Sequence, residues 1–351
     1  MIRPWSPLER TGVAVLGAVL LLMAWSIFRV PVVSVDGRTL WGLHARVLHD
    51  AGRYPAAELS DPGFPIPHRQ YPPLLPLLDA IALHALPTDP ALRLVPWLFY
   101  LAIAAFLFFE LPRRDPERGR LLALAYALLP TLVLSEEGGA DAGVADTVLA
   151  AWVAGAAFLL DAGRPLGAGL CAAVAALTKN EGLVLGTLLM ASAYFRCGHG
   201  QRQVRPVMLA GAAFAVPLLP WLWLRAALPA GFDERYVSLL TLERLASGLE
   251  RAPEVVVEMI RVAFLHPQRS GLFWWMVVML WTTSSRRTAS LLEGRLLILP
   301  AYMAILVALY VVSPWSGVTQ VQLSFERLLL QVAPLALLGL TPPSGRPIIP
   351  V

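Results

Sequence analysis

The sequence predicts an all-α integral membrane protein, a single transmembrane domain over residues 1–351 built as a bundle of about ten helices. Three observations carry this. First, 57% of the residues are hydrophobic and only 15% charged, where soluble domains hold roughly 45–50% and about 25%; the mean hydropathy is +0.63. Too few polar side chains are left to cover an apolar core with a wettable surface. Second, several segments reach the roughly 20 apolar residues that a helix needs to cross the hydrocarbon layer. Third, the arginines fall in short loops between apolar stretches, and one orientation puts all of those loops on one side, as the basic excess of cytoplasmic loops requires.

The elements follow in order. Residues 11–30 form the first span, after Arg3 and Arg10. This apolar run is too long for a signal peptide and lacks a small-residue cleavage site, so it reads as an uncleaved anchor. A polar stretch, 31–71, follows on the outer side, and the first external loop as a whole covers 31–90. Within it, 72–86 is apolar but short and proline-rich, which predicts a juxtamembrane or re-entrant helix. Counting it as a crossing would place the densest basic loop, 113–120, outside. The second span is 91–111, and later spans are expected at 120–134, 144–161, 165–178, 181–195, 206–228, 271–283, 292–312 and 325–341. The loops with Arg196, Arg202 and Arg205 and with Arg286 and Arg287 then lie inside with both termini, and 135–143 and 313–324 lie outside. The segment 229–270 alternates Glu243/Arg244 and Glu250/Arg251 with apolar residues at helical spacing, so an external amphipathic helix on the membrane surface is expected there.

The net charge of +4 does not point to nucleic acid, because no basic run is interleaved with aromatics. Cys171 in an apolar segment and Cys197 in a basic loop predict no disulfide. No glycine-rich phosphate loop follows a strand, no Cys/His spacing fits structural zinc, and no Gly-x-Ser-x-Gly elbow occurs. A nucleotide-dependent soluble domain is therefore not expected, and any donor would be lipid-borne.

The chosen orientation gathers the ionisable residues on the outer face. Such groups are costly at membrane depth and are functional candidates. Lys179 is the only lysine, the other 27 basic residues being arginine. A compact ammonium suits a phosphate oxygen or a buried carboxylate, although snorkelling to the interface or pairing with Glu181 explains it too. Asp36 lies just beyond the first span and either acts chemically or caps the next helix. Asp141 and Asp146 are five residues apart and do not share a helix face well; Asp146 can begin the following helix. His68 and Arg69 precede the Tyr71-Pro72-Pro73 break. Arg327 is expected at a helix start, where the dipole disfavours a cation, so an anionic ligand or Glu326 must hold it. Trp41 and Tyr71 suit sugar stacking or interfacial anchoring.

Five stretches carry a resemblance: Asp36 with TLWGLHARVLHDAGRYP (39–55), HRQYPPLLPLL (68–78), the acidic second loop ending in GVADTVLAAW (143–152), LTKNEGLVLG (177–186) and SFERLLLQVAP (324–334). In their order and topology the chain resembles the GT-C superfamily of membrane glycosyltransferases, the group that includes protein O-mannosyltransferases and aminoarabinose transferase. The resemblance implies a GT-C-type bundle with juxtamembrane helices in a catalytic first external loop. It implies a sugar donor on polyprenyl phosphate, a glycan, lipid or protein acceptor, and inverting transfer at the outer face of a bacterial inner membrane. Asp36 matches the first-loop catalytic acid, and Asp141, or alternatively Asp146, the second-loop acid. Lys179, Arg327, Arg69 and His68 are the candidates for the donor phosphate; Trp41, Tyr71, Glu181 and Asp146 are those for the rest of the substrate. No cofactor or metal ligand set is expected, although paired external carboxylates are compatible with a divalent cation.

Three other readings stay open. An O-antigen polymerase or ligase would use longer arginine-rich external loops. A lipid or solute transporter would place polar residues near the bilayer midplane, often in matching halves. A non-catalytic scaffold would tolerate Asp36→Asn and Lys179→Ala.

Overall fold

A computed structural model describes residues 4–61, 63–64, 66–197, 204–229, 239–283 and 297–341. Arg202, Arg286, Arg287, residues 230–238 of the expected amphipathic segment and the side chain of Cys197 lie outside the described residues.

Every regular element among the described residues is helical. The first, α1 (Pro7–Arg29), starts with a capping box in which the Glu9 N–H donates to Ser6 Oγ and the Ser6 N–H to Glu9 Oε2. Next come a π-helical turn (Gly37–Gly42), α2 (Leu43–Ala51), α3 (Ala56–Ser60) and α4 (Leu74–Ala85). The 12-residue α4 packs along α2 within the first loop. The long helix α5 (Pro90–Arg114) follows, then α6 (Gly119–Ala127) and α7 (Pro130–Leu134). The sequence pattern joins these last two into one span. The chain breaks at Leu128–Leu129 because Pro130 has no N–H to offer and restricts the residue before it.

The centre of the bundle is α8 (Asp146–Asp161), whose first turn is wholly buried and whose Ala151–Gly155–Phe158–Leu159 stripe is half-buried. Around it stand α5, α9 (Pro165–Thr178) and α10 (Asn180–Cys197). Small residues such as Ala150, Ala154, Ala168, Ala172 and Ala175 line this core and let the backbones approach. The chain continues through α11 (Val204–Ala215), a 3-10 turn at Pro217 and α12 (Leu219–Ala227). After these come α13 (Leu242–Gly248), α14 (Ala252–Ile260), α15 (Pro267–Ser270), α16 (Phe273–Thr283), α17 (Ile298–Val312) and α18 (Gly317–Leu340).

Four helices are long and apolar enough to cross a membrane by length and composition: α1, α5, the α11–α12 rod and α18. The other apolar helices, α4, α6–α7, α9, α16 and α17, are shorter. Leu21, Leu22, Trp25 and Phe28 of α1 are exposed, as on a helix whose outer face meets an apolar solvent.

Two expectations are corrected. The final helix begins at Gly317, capped by Ser316, and not near residue 325. Arg327 is therefore its eleventh residue and not a helix-start residue, and the dipole argument for a ligand there falls away. The described part of 229–270 is not an isolated surface helix either: Val255, Met259, Val262 and Ala263 enter the main core against α17 and α18.

Candidate functional site

The site starts at the turn that carries Asp36. Ser34 Oγ accepts from the Gly37 N–H at 2.9 Å, and no side-chain capping bond is made by Asp36. Ser34 thus does the capping, which leaves the Asp36 carboxylate for another partner. Glu137 of the second loop clamps this turn from outside: it accepts from Ser34 Oγ and from the Val35 N–H, both at 2.9 Å. Gly37 is required here because a Cβ would lie 2.4 Å from the Ala142 carbonyl oxygen.

Asp36 meets Arg327, whose Nη1 donates to Asp36 Oδ2 at 2.6 Å. Arg327 Nε reaches Asp146 Oδ2 at 3.2 Å. Asp146 Oδ1 accepts from Lys179 Nζ at 2.8 Å and from Gln331 Nε2 at 2.6 Å. Lys179 is also 3.3 Å from Glu181 Oε1, and Tyr302 OH donates to Gln331 Oε1 at 3.0 Å. Five segments distant in sequence thereby converge on one alternating chain of charges. Local structure explains each position. Asp146 is the first residue of α8, where an anion suits the helix dipole. Lys179 is the extended residue between α9 and α10, so its side chain leaves the helical register and points inward. Arg327 and Gln331 are four apart on α18 and share a face.

Burial grades the cluster. The Asp146 side chain is fully buried, that of Arg327 is 14% exposed and that of Asp36 38%. Arg327 also lines a cleft of about 410 Å³ together with Ser135, Glu136, Glu137, Arg269 and Glu326, with Leu134 and Leu323 beside them. Glu326 accepts from Thr131 Oγ1 at 2.6 Å and pairs with Arg269 at 3.4 Å. The cleft therefore presents the carboxylates of Glu136, Glu137 and Glu326 beside the guanidiniums of Arg269 and Arg327. That arrangement can hold an anion at Arg327 and take a proton at Asp36.

Other expected residues have different surroundings. Asp141 pairs with Arg93, whose guanidinium also donates to the carbonyls of Ser26 (2.8 Å), Val30 (2.6 Å) and Asp141 itself (2.7 Å). It ties off the end of α1 and is separate from the Asp36–Arg327–Asp146 chain. Arg69 donates to the carbonyls of Leu59, Phe64 and Ile66 and stitches the first loop. His68 has φ 51° and packs its ring 5.0 Å from Tyr71. Such a conformation is uncommon for a residue with a Cβ and marks a constrained turn. Trp41 is buried, edge-on to Tyr71 at 5.6 Å, and packs with Leu40, Leu75 and Val148. It presents no free ring face to a sugar.

Burial shifts His44 and Asp79 of the first loop in opposite directions. Burial is the main reason that the His44 imidazole is held below its usual range, despite a 2.8 Å bond between its Nε2 and the Pro67 carbonyl. Burial also holds the Asp79 carboxyl of α4 well above the usual carboxylate range, and among the described residues neither of its oxygens has a hydrogen-bond partner. Asp79, Gln331 and Tyr302 are absent from the candidates read from sequence. The single acid within the apolar run 72–86 was the one signal for Asp79. An uncharged Gln and Tyr inside apolar helices give none. Among the described residues no group of three or more His, Cys, Asp or Glu is placed to hold a metal ion.

Comparison with known proteins finds no matching family model, no matching curated protein and no matching solved structure.

Proposed function

We propose that the protein is a GT-C-type inverting membrane glycosyltransferase that moves a sugar from polyprenyl phosphate to a glycan, lipid or protein acceptor. The observation that carries this reading is the Asp36–Arg327–Asp146–Lys179 chain at the edge of the cleft. It sets a partly exposed carboxylate beside a cation that two buried groups hold in place. In the reaction the acceptor hydroxyl gives its proton to Asp36, and its oxygen attacks the anomeric carbon from the face opposite the phosphate. The bond from that carbon to the phosphate oxygen breaks, and polyprenyl phosphate leaves with the electron pair. Fixed positive charge where the leaving group gains charge lowers the barrier.

Burial and contacts support a finer division of roles. Arg327 borders the cleft and is the phosphate contact. Lys179 is buried against Asp146 and Glu181 and acts by holding Asp146, which in turn orients Arg327. Asp146 takes the second-loop role in place of Asp141, which is engaged by Arg93. In this reading the site faces the outer side of a bacterial inner membrane, with about ten crossings and both termini inside. Short apolar helices beside the four long ones support that count.

The test is transfer of radiolabelled sugar in membranes loaded with polyprenyl-phosphate donors, comparing wild type with Asp36→Asn at matched expression. Loss of a general base should lower transfer by about 10²–10⁴-fold. Equal transfer in both proteins would remove Asp36 from the mechanism. No transfer by wild type across several donor sugars would count against the enzyme reading as a whole.

A further inference from the structure

We infer that Arg269 is a second contact for the donor's phosphate, and that it seats the leaving group on the side of the cleft away from Asp36. The inference rests on the glycosyltransferase reading and assigns a further residue to its leaving group.

Arg269 and Arg327 are the two cations that line the cleft. They are engaged to different degrees. Arg327 gives Nη1 to Asp36 and Nε to Asp146, and its side chain is 14% exposed. Arg269 is 33% exposed and gives Nη1 to the Gln322 carbonyl at 3.0 Å. Its Nε lies 3.4 Å from Glu326 Oε2, longer than an ordinary charge-assisted hydrogen bond. Its Nη2 donates to nothing among the described residues. Glu326 is itself shared, since its Oε1 accepts from Thr131 at 2.6 Å. A half-engaged guanidinium on a cleft wall suits a phosphate oxygen.

The position of Arg269 is fixed from two sides. Its carbonyl accepts from Thr131 Oγ1 at 2.8 Å. Its guanidinium lies along Gln322 and Glu326, which are four apart and share one face of α18. Arg327 is the next residue round that helix, turned by about 100°, and there it meets Asp36. Asp36 itself does not line the cleft, and no contact joins it to Arg269 among the described residues. A phosphate on Arg269 therefore lies on a different face of α18 from the base. Attack from the face opposite the leaving group needs that separation, with the sugar between the two. Arg327 alone, bonded to Asp36, does not supply it.

The surroundings of Arg269 fit a lipid-borne phosphodiester. Leu323, next to Gln322, and Leu134 border the cleft and are 73% and 76% exposed, so hydrocarbon contact is offered beside the guanidinium. As the bond to the anomeric carbon breaks, the diester becomes a monoester and gains negative charge. A guanidinium already in place stabilises that charge.

The experiment measures binding of undecaprenyl methyl phosphate, a sugar-free phosphodiester, and separately of dimethyl phosphate, to the full chain in nanodiscs. Wild type is compared with Arg269→Gln, Glu326→Gln and the double variant. Glutamine at 326 keeps an oxygen for Thr131 while releasing the guanidinium. Arg269→Gln should weaken lipid binding about tenfold, a difference of ~1.4 kcal/mol. Glu326→Gln should bind at least as tightly as wild type, and the double variant should stay as weak as Arg269→Gln. Unchanged binding in Arg269→Gln, or weaker binding in Glu326→Gln, would overturn the assignment. So would a double variant restored to wild-type binding, because Arg269 would then serve only to neutralise Glu326. These results leave the glycosyltransferase reading to its own test with Asp36→Asn. No binding by wild type would overturn both the assignment and the polyprenyl-phosphate donor. Dimethyl phosphate bound as tightly as the lipid would overturn the lipid source.

Discussion

At the scale of single residues, the site is an alternation of buried charges in which Lys179 is the least replaceable cation. Its ammonium sits between Asp146 at 2.8 Å and Glu181 at 3.3 Å, and it is buried. Removing one member of a buried ionic group leaves its partner uncompensated and costs ~3–5 kcal/mol, whereas removing both can be nearly neutral. Lys179→Met is therefore expected to destabilise the fold by about 3 kcal/mol. Lys179→Met combined with Asp146→Asn should cost clearly less than the sum of the two single changes. Unfolding of the four proteins in detergent micelles measures the coupling, and strictly additive losses would show that the pair is not energetically linked. The same residues show what a sequence can reveal. Lys179, Asp36 and Asp146 stand out as isolated charges beside apolar runs. Their partners Gln331 and Tyr302 do not, because an uncharged polar side chain inside an apolar helix leaves no mark on hydropathy. The pairing of Arg93 with Asp141 was equally hidden: both charges are visible in the chain, but their contact across 48 residues is a matter of packing.

At the scale of elements, the helices that position the site are held by close backbone approach. Gly169 of α9 faces α11 so tightly that a Cβ would lie 2.2 Å from the Ala210 carbonyl oxygen and 2.8 Å from Ala213 Cβ. Backbone cannot yield as a side-chain tip can, so Gly169→Ala must push the two helices apart, at a cost of ~1–3 kcal/mol. A lowered melting temperature with undiminished initial transfer by the surviving folded fraction is the expected result, and an unchanged melting temperature would count against this packing. Helix existence was legible from apolar runs; helix limits were not. The segment GVTQVQLS (317–324) is too polar for a hydropathy window, yet it is helical. Its Val321 is buried within the core cluster that also holds Val255 and Val262 of the 252–265 stretch. Tertiary packing supplied what composition withheld. The opposite error arose at Leu128–Leu129, where a continuous apolar run hid the break before Pro130.

At the scale of the whole molecule, buried charge gathers at the two ends of α8. Asp146 anchors the candidate site at the first residue, and Asp161 pairs with Arg114 at the last, at 2.9 Å, with Glu110 completing that second group. The proposed sidedness is testable on this frame. In a background without native cysteines, Asp61→Cys in the first loop should react with a membrane-impermeant maleimide in intact cells whose outer membrane has been removed. Glu117→Cys, between α5 and α6, should react only after permeabilisation. Both positions are exposed, so accessibility is decided by the membrane alone, and the reverse pattern would put the cleft on the cytoplasmic side. The length of α8 carries a further consequence. Its 16 residues span roughly 24 Å at ~1.5 Å per residue, less than the ~30 Å hydrocarbon thickness of an ordinary bilayer. In a bilayer its end charges, Asp146 and Asp161, therefore fall within that thickness, where their ion-pair partners Lys179 and Arg114, and not bulk water, must neutralise them.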